Sequence, residues 1–109
     1  MSLILPPILT DYFNASERRD SAALAACFTP DGVVFDEGGE HRGHAAIAAW
    51  DAGAVARYAM HTTPLASATQ GEQCIVHAQV SGTFPGSPLK LDFTFTLACG
   101  QVAALAVTA

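Results

Sequence analysis

The run GVVFDEGGEHRGHAAIAAW, from Gly32 to Trp50, holds an acid whose position asks for an explanation. Val33, Val34 and Phe35 are β-branched or aromatic and read as a strand, which Asp36 and Glu37 then end. A carboxylate there either finishes the strand in water or faces a cavity, where it can accept a proton or hold a ligand. Alternation puts Val34 and Asp36 on one strand face and Val33 and Phe35 on the other. His41 and His44 flank Arg42 beyond a glycine turn, without the i, i+4 helical spacing of a zinc motif. They read as solvated loop residues, and no metal is expected. His61 opens a later strand pattern, where it reaches either a pocket mouth or water. His77 shares a strand face with Ile75 and Gln79 and reads as structural or as an interface contact. The chain has no GxSxG elbow, and GGEHRG lacks the lysine pattern of a phosphate loop. No nucleotide, flavin or other cofactor is expected.

These side chains need elements to hold them. Pro6 and Pro7 suit a helix start, where a missing amide costs nothing. Ile8, Leu9, Tyr12, Phe13 and Ser16 follow as a stripe at helical spacing. Asp20 is placed to cap a short second helix, SAALAACF, which must stop before Pro30. TPDG reads as a turn and VVFDE as the first strand. Gly43 opens a third helix with Ile47, Trp50, Ala54 and Tyr58 on one face. Beyond it the apolar period changes from 3.6 to 2, through His61 to Thr69, QCIVHAQVSGTF, LKLDFTFTLA and VAALAVT. The separators QGE, PGSP and CGQ are turns. Helices followed by hairpin-linked strands predict an α+β fold, its mostly antiparallel sheet covered on one face by three helices.

This order resembles the nuclear transport factor 2-like superfamily, which includes the ketosteroid isomerases and the polyketide-cyclase-like (SnoaL-like) proteins. The strings that carry the resemblance are FTPDGVVFDEGGEHRGHAAIAAW and VSGTFPGSPLKLDFTFTLACGQVAALAV. It implies a cone of curved mixed sheet closed by helices, with a pocket inside, usually in a homodimer. It also implies roles. In ketosteroid isomerases the acid near the end of this strand is the general base, and Asp36 holds the matching place. A phenol on the first helix corresponds to Tyr12, and a second acid on a late strand, ahead of a glycine turn, corresponds to Asp92. Such a set would move a proton on an apolar ring compound carrying a carbonyl, with donors meeting the developing oxyanion.

Strand parity adds a condition. Leu89, Leu91, Phe93, Phe95 and Leu97 share one face, while Asp92 lies opposite with Lys90, Thr94 and Thr96. If the apolar row lines the pocket, Asp92 points to water or to a dimer partner unless a bulge reverses it. The expected pocket wall draws on Phe28, Phe35, Trp50, Tyr58, His61, Phe93 and Phe95. A non-catalytic ligand-binding or assembly module of the same fold is the alternative.

Bulk numbers set the outer limits. A chain of 109 residues is expected to be one domain, residues 1–109. Half of it is hydrophobic and 14% is charged, which excludes disorder. Five lysines and arginines against a net charge of −5 exclude a phosphate-tracking stripe, so nucleic acid is not an expected partner. No apolar stretch approaches the roughly 20 residues of a membrane span, and MSLILPPILTD lacks the basic start of a signal peptide. Cys27, Cys74 and Cys99 are dispersed without CxxC spacing, and read as small buried, reduced thiols of a cytoplasmic protein. The expected partners are a small apolar ligand and a second copy of the chain.

Overall fold

The computed structural model describes residues 4–109, so the first three residues of the N-terminal apolar run lie outside the described residues. Helix α1 (Pro7–Glu17) starts on Pro6 and Pro7 and buries Leu9, Tyr12, Phe13 and Ala15. Helix α2 (Ser21–Ala26) is capped by Asp20, whose side chain accepts from the Ala23 amide at 3.0 Å. It ends two residues earlier than SAALAACF suggests, because Phe28 already belongs to strand β1 (Phe28–Asp36).

TPDG is therefore not a free turn but a deformed stretch of that strand. Phe28 pairs with Val102 and Val33 with Ala104, so the intervening residues bulge out of register. Pro30 has no amide for the ladder, and Gly32 lies so close to Phe28 that a Cβ there would sit 2.9 Å from the Phe28 Cβ. Strand β2 (Gly39–Arg42) folds back on β1, with Asp36 opposite Gly39. The two turn residues, Glu37 (φ 51°) and Gly38 (φ 76°), both adopt the left-handed region that a tight hairpin of this hand demands.

Helix α3 (His44–Tyr58) follows Gly43 and ends at Ala59. Strands β3 (His61–Gln70), β4 (Gln73–Ser81), β5 (Leu89–Ala98) and β6 (Gln101–Thr108) complete the chain. The curved, unclosed sheet has the order β2-β1-β6-β5-β4-β3. Its strand pairs are antiparallel except β1 with β6, which run parallel. The expected α+β cone of mixed sheet and three helices is what forms.

Alternation decides what the concave face holds. Cys74, Val76, Ala78 and Val80 of β4 and Phe93 and Phe95 of β5 turn inward and are buried. They meet Leu9 of α1, Leu24 of α2 and Ile47 of α3 in one cluster. Each large side chain removed from water here contributes about 1.5–3 kcal/mol, so the cluster anchors all three helices to the sheet. Cys27 and Cys74 are buried as expected, but Cys99 is exposed at the tip of the β5–β6 hairpin.

Candidate functional site

One end of the cone is not filled by this cluster. A cavity of about 420 Å³ lies between α1, α3 and the sheet. Tyr12 and Ser16 reach it from α1, and Trp50, Asp51, Ala54 and Tyr58 from α3. Leu91 and Phe93 of β5, Val80 of β4 and Val107 of β6 make its apolar floor. Phe84 and Pro85, in the loop after β4, close the rim against Tyr58, with the Phe84 and Tyr58 rings edge to face at 5.7 Å. That loop is tied down by the Thr83 amide, which donates to the Tyr58 carbonyl at 2.8 Å.

Asp36 stands at this rim because β1 delivers it there on the same face as Val34. The Trp50 indole donates to its Oδ2 at 3.0 Å, and no hydrogen bond from the described residues reaches Oδ1. One oxygen is thus oriented and the other is available. His41 of β2 stands beside Trp50, its ring centre 6.2 Å away.

Tyr12 lies deeper and is only 3% exposed. Its ring packs edge to face on Phe13 and Phe95, at 5.0 and 5.1 Å, and its hydroxyl finds no partner among the described hydrogen bonds. Burial holds its phenol well above the usual value, and the nearby Asp51 and Asp36 push it the same way, with Cys27 adding to the effect. The phenol therefore remains a donor at neutral pH.

Asp51 is the residue the sequence reading missed. It is 9% exposed, lines the cavity, and accepts a 2.7 Å hydrogen bond from the Ser21 hydroxyl. Burial raises its pKa, opposed by the Ser21 hydrogen bond and by Arg19. A signal was present: Asp51 comes four residues after Ile47, hence one turn along the inward face of α3. Glu37 and Phe84 also line the cavity without having been singled out.

The structure gathers Asp36, Tyr12, Trp50, Tyr58 and Phe93 around the cavity. It separates the remaining candidates. Phe28 and Phe95 are fully buried in the core rather than on the cavity wall. Phe35 turns to the opposite strand face and is 43% exposed, as alternation with Asp36 requires. His61 stays outside, where Arg19 donates to its Nε2 at 3.1 Å and also to the Met60 carbonyl. Asp92 is on the convex face, accepting from His77 Nδ1 at 2.6 Å in a half-exposed pair. No bulge near Asp92 turns it inward: the β4–β5 register runs unbroken from Gln73 to Val80.

A curved mixed sheet under three helices, open at one end into a cavity between them, defines the nuclear transport factor 2-like class, also called cystatin-like. Within it, the SnoaL-like domain family matches residues 9–105, and the chain belongs to that family. It is similar to a candidate polyketide cyclase from Sinorhizobium meliloti, at 41% identity and TM-score 0.93 over 95% of both chains. A Sphaerobacter thermophilus protein is 24% identical, with TM-score 0.82 over 98% of this chain and 96% of that one. A Catenulispora acidiphila protein with a ketosteroid isomerase-like fold, solved with trimethylamine, is 20% identical. Its TM-score is 0.86 over 97% of this chain and 87% of that one. No curated protein matches the sequence.

Proposed function

We propose that the chain is one small-molecule pocket domain acting as a cofactor-independent isomerase or cyclase. Its substrate is an apolar ring compound carrying a carbonyl, and Asp36 is the general base. The observation that supports this most is the pairing of Asp36 with Trp50 at the rim of the cavity, with one carboxylate oxygen left available. Asp36 takes a proton from the carbon beside the carbonyl, and the electron pair moves to the carbonyl oxygen, where the Tyr12 hydroxyl meets it. Returning the proton to another carbon completes an isomerisation. Attack of the carbanion on a second carbonyl, with that oxygen then protonated, completes a cyclisation. The similarity to a candidate polyketide cyclase supports the second outcome.

One observation favours a binding role instead: Asp92, the late-strand acid, is turned away from the cavity. The Catenulispora structure, solved with a small amine, is compatible with that reading too. The three free thiols suit a reducing, cytoplasmic setting. The test begins with ring ketones selected by thermal shift, since native-state binding raises apparent stability. On any ketone that is turned over, Asp36→Asn lowers the rate by about 10²-fold or more, because an amide cannot accept the proton. Its melting temperature stays within about 2 °C of the parent. An unchanged rate removes Asp36 from the mechanism, and tight binding without turnover by the parent selects the binding role.

A further inference from the structure

Three of the four histidine rings are engaged: His44 with the Phe28 carbonyl, His61 with Arg19 and His77 with Asp92. His41 is half-buried, and neither of its ring nitrogens has a hydrogen-bond partner among the described residues. Its place is specific. It pairs with Val34, two residues before Asp36, so alternation puts its side chain on the face that carries Asp36.

The ring leans toward the turn of the hairpin. A Cβ on Gly39 would stand 3.6 Å from His41 Nε2. Gly39 is directly opposite Asp36, and Cβ positions opposed in this way lie about 5 Å apart. Because that residue is glycine, no side chain separates the imidazole from the carboxylate. Trp50 touches both groups: its indole donates to Asp36 Oδ2, and its ring lies 6.2 Å from the imidazole. Asp36 borders two spaces. One is the cavity, and the other is a groove of about 260 Å³ between the β1–β2 hairpin and α3, which His41 also lines. A ring compound in the cavity covers the first side, and the indole covers Oδ2. The groove is then the way by which an Asp36 proton reaches bulk water, and His41 stands in it.

We propose that His41 is a proton relay between Asp36 and solvent. This rests on the reading of Asp36 as base and adds how that base exchanges its proton while substrate is bound. After Asp36 has taken a proton from carbon, its O–H passes that proton to His41 Nε2, directly or through one water. The Nδ1–H then releases its own proton to water in the groove. The reverse transfer brings a solvent proton to Asp36, which delivers it to the second carbon. Only O–H and N–H bonds are exchanged, and both side chains end as they began. An imidazole suits the task near neutral pH, because it accepts at one nitrogen while donating at the other. The other titratable groups bordering the groove are Glu37 of the hairpin and Arg57 and Tyr58 of α3. They remain in every His41 variant below, so a difference isolates His41.

The probe is 3-cyclohexen-1-one, a ring ketone that becomes conjugated when a proton is carried from C2 to C4. The full chain converts it in D2O at pD 7.5, and NMR reads deuterium at C4 of the product after subtraction of the protein-free reaction. Deuterium per product formed reports exchange with solvent and does not depend on how fast product forms. The parent's product is expected to carry deuterium at C4 in most molecules. His41→Phe keeps a flat ring beside Trp50 but carries no proton, and lowers that content about threefold or more. His41→Ala lowers it equally, and imidazole added to the solution restores it, which a merely structural His41 would not allow. Unchanged deuterium in His41→Phe, no restoration of His41→Ala by imidazole, a parent product without deuterium, or no turnover of the ketone overturns the proposal. Loss of turnover in Asp36→Asn alongside unchanged deuterium in His41→Phe removes the relay alone and leaves Asp36 as base.

Discussion

Three residues lining the cavity differ in their surroundings. Asp36 is half-buried at the rim and oriented by an indole, while Asp51 is nearly sealed and oriented by a hydroxyl. Tyr12 lies near enough to both for each to raise its phenol pKa. For Asp51 the same burial has a stability consequence whose sign can be worked out. Its folded pKa lies above its unfolded one, near 3.9 for an ordinary aspartate. Below the unfolded value both states are protonated and the residue contributes its full stability. As pH rises through the folded value, the carboxylate ionises in a desolvated place and that stability is lost. Asp51→Asn should therefore melt higher than the parent at pH 8, by about 4 °C for each kcal/mol regained in a domain of this size. Near pH 4 the difference should close. Thermal melts at the two pH values decide it, and an equal gap at both would show that ionisation is not the cause.

At the scale of elements, the rim depends on a contact that leaves no room for a side chain. A Cβ on Gly82 would lie 2.5 Å from the Tyr58 carbonyl oxygen, so Gly82→Ala must push the loop away from α3. This should cost about 1–3 kcal/mol, as overpacking does, and weaken ligand binding by unseating Phe84 from Tyr58. Gly53, inside α3 with nothing within 4 Å of where a Cβ would stand, gives the contrast: Gly53→Ala should stabilise by about 0.5–1 kcal/mol. Denaturant melts of both variants check the pair. Most elements were legible because their periods were clean, as in LKLDFTFTLA and the α1 stripe. Strand β2 was not, since Gly39, Glu40, His41 and Arg42 have no strand-forming preference and pair only because the Glu37–Gly38 turn returns them to β1. Asp36 was legible as a strand-ending acid. Asp51 was hidden because a single aspartate among alanines looks solvated until Ser21 and the cavity are placed beside it.

Across the whole molecule, the convex face carries one continuous row. Ala68, Ile75, Thr94, Ala106 and Phe35 stand side by side on β3, β4, β5, β6 and β1. Phe35 and Ile75 are 43% and 37% exposed, an apolar band of the kind that usually has a partner. The expected outcome is a homodimer in light scattering at tens of micromolar, converted to monomer by Ile75→Lys. A monomeric parent would refute it. The parallel pairing of β1 with β6 carries a different consequence, one for synthesis. Strands β3 to β6 each join a neighbour in sequence, whereas β1, paired at once with β2 on one edge, meets its other neighbour β6 only about 70 residues later. Asp36 travels with β1. The nascent chain thus keeps one edge of β1 unpaired until β6 emerges, which makes that interval the one in which a chaperone has something to hold.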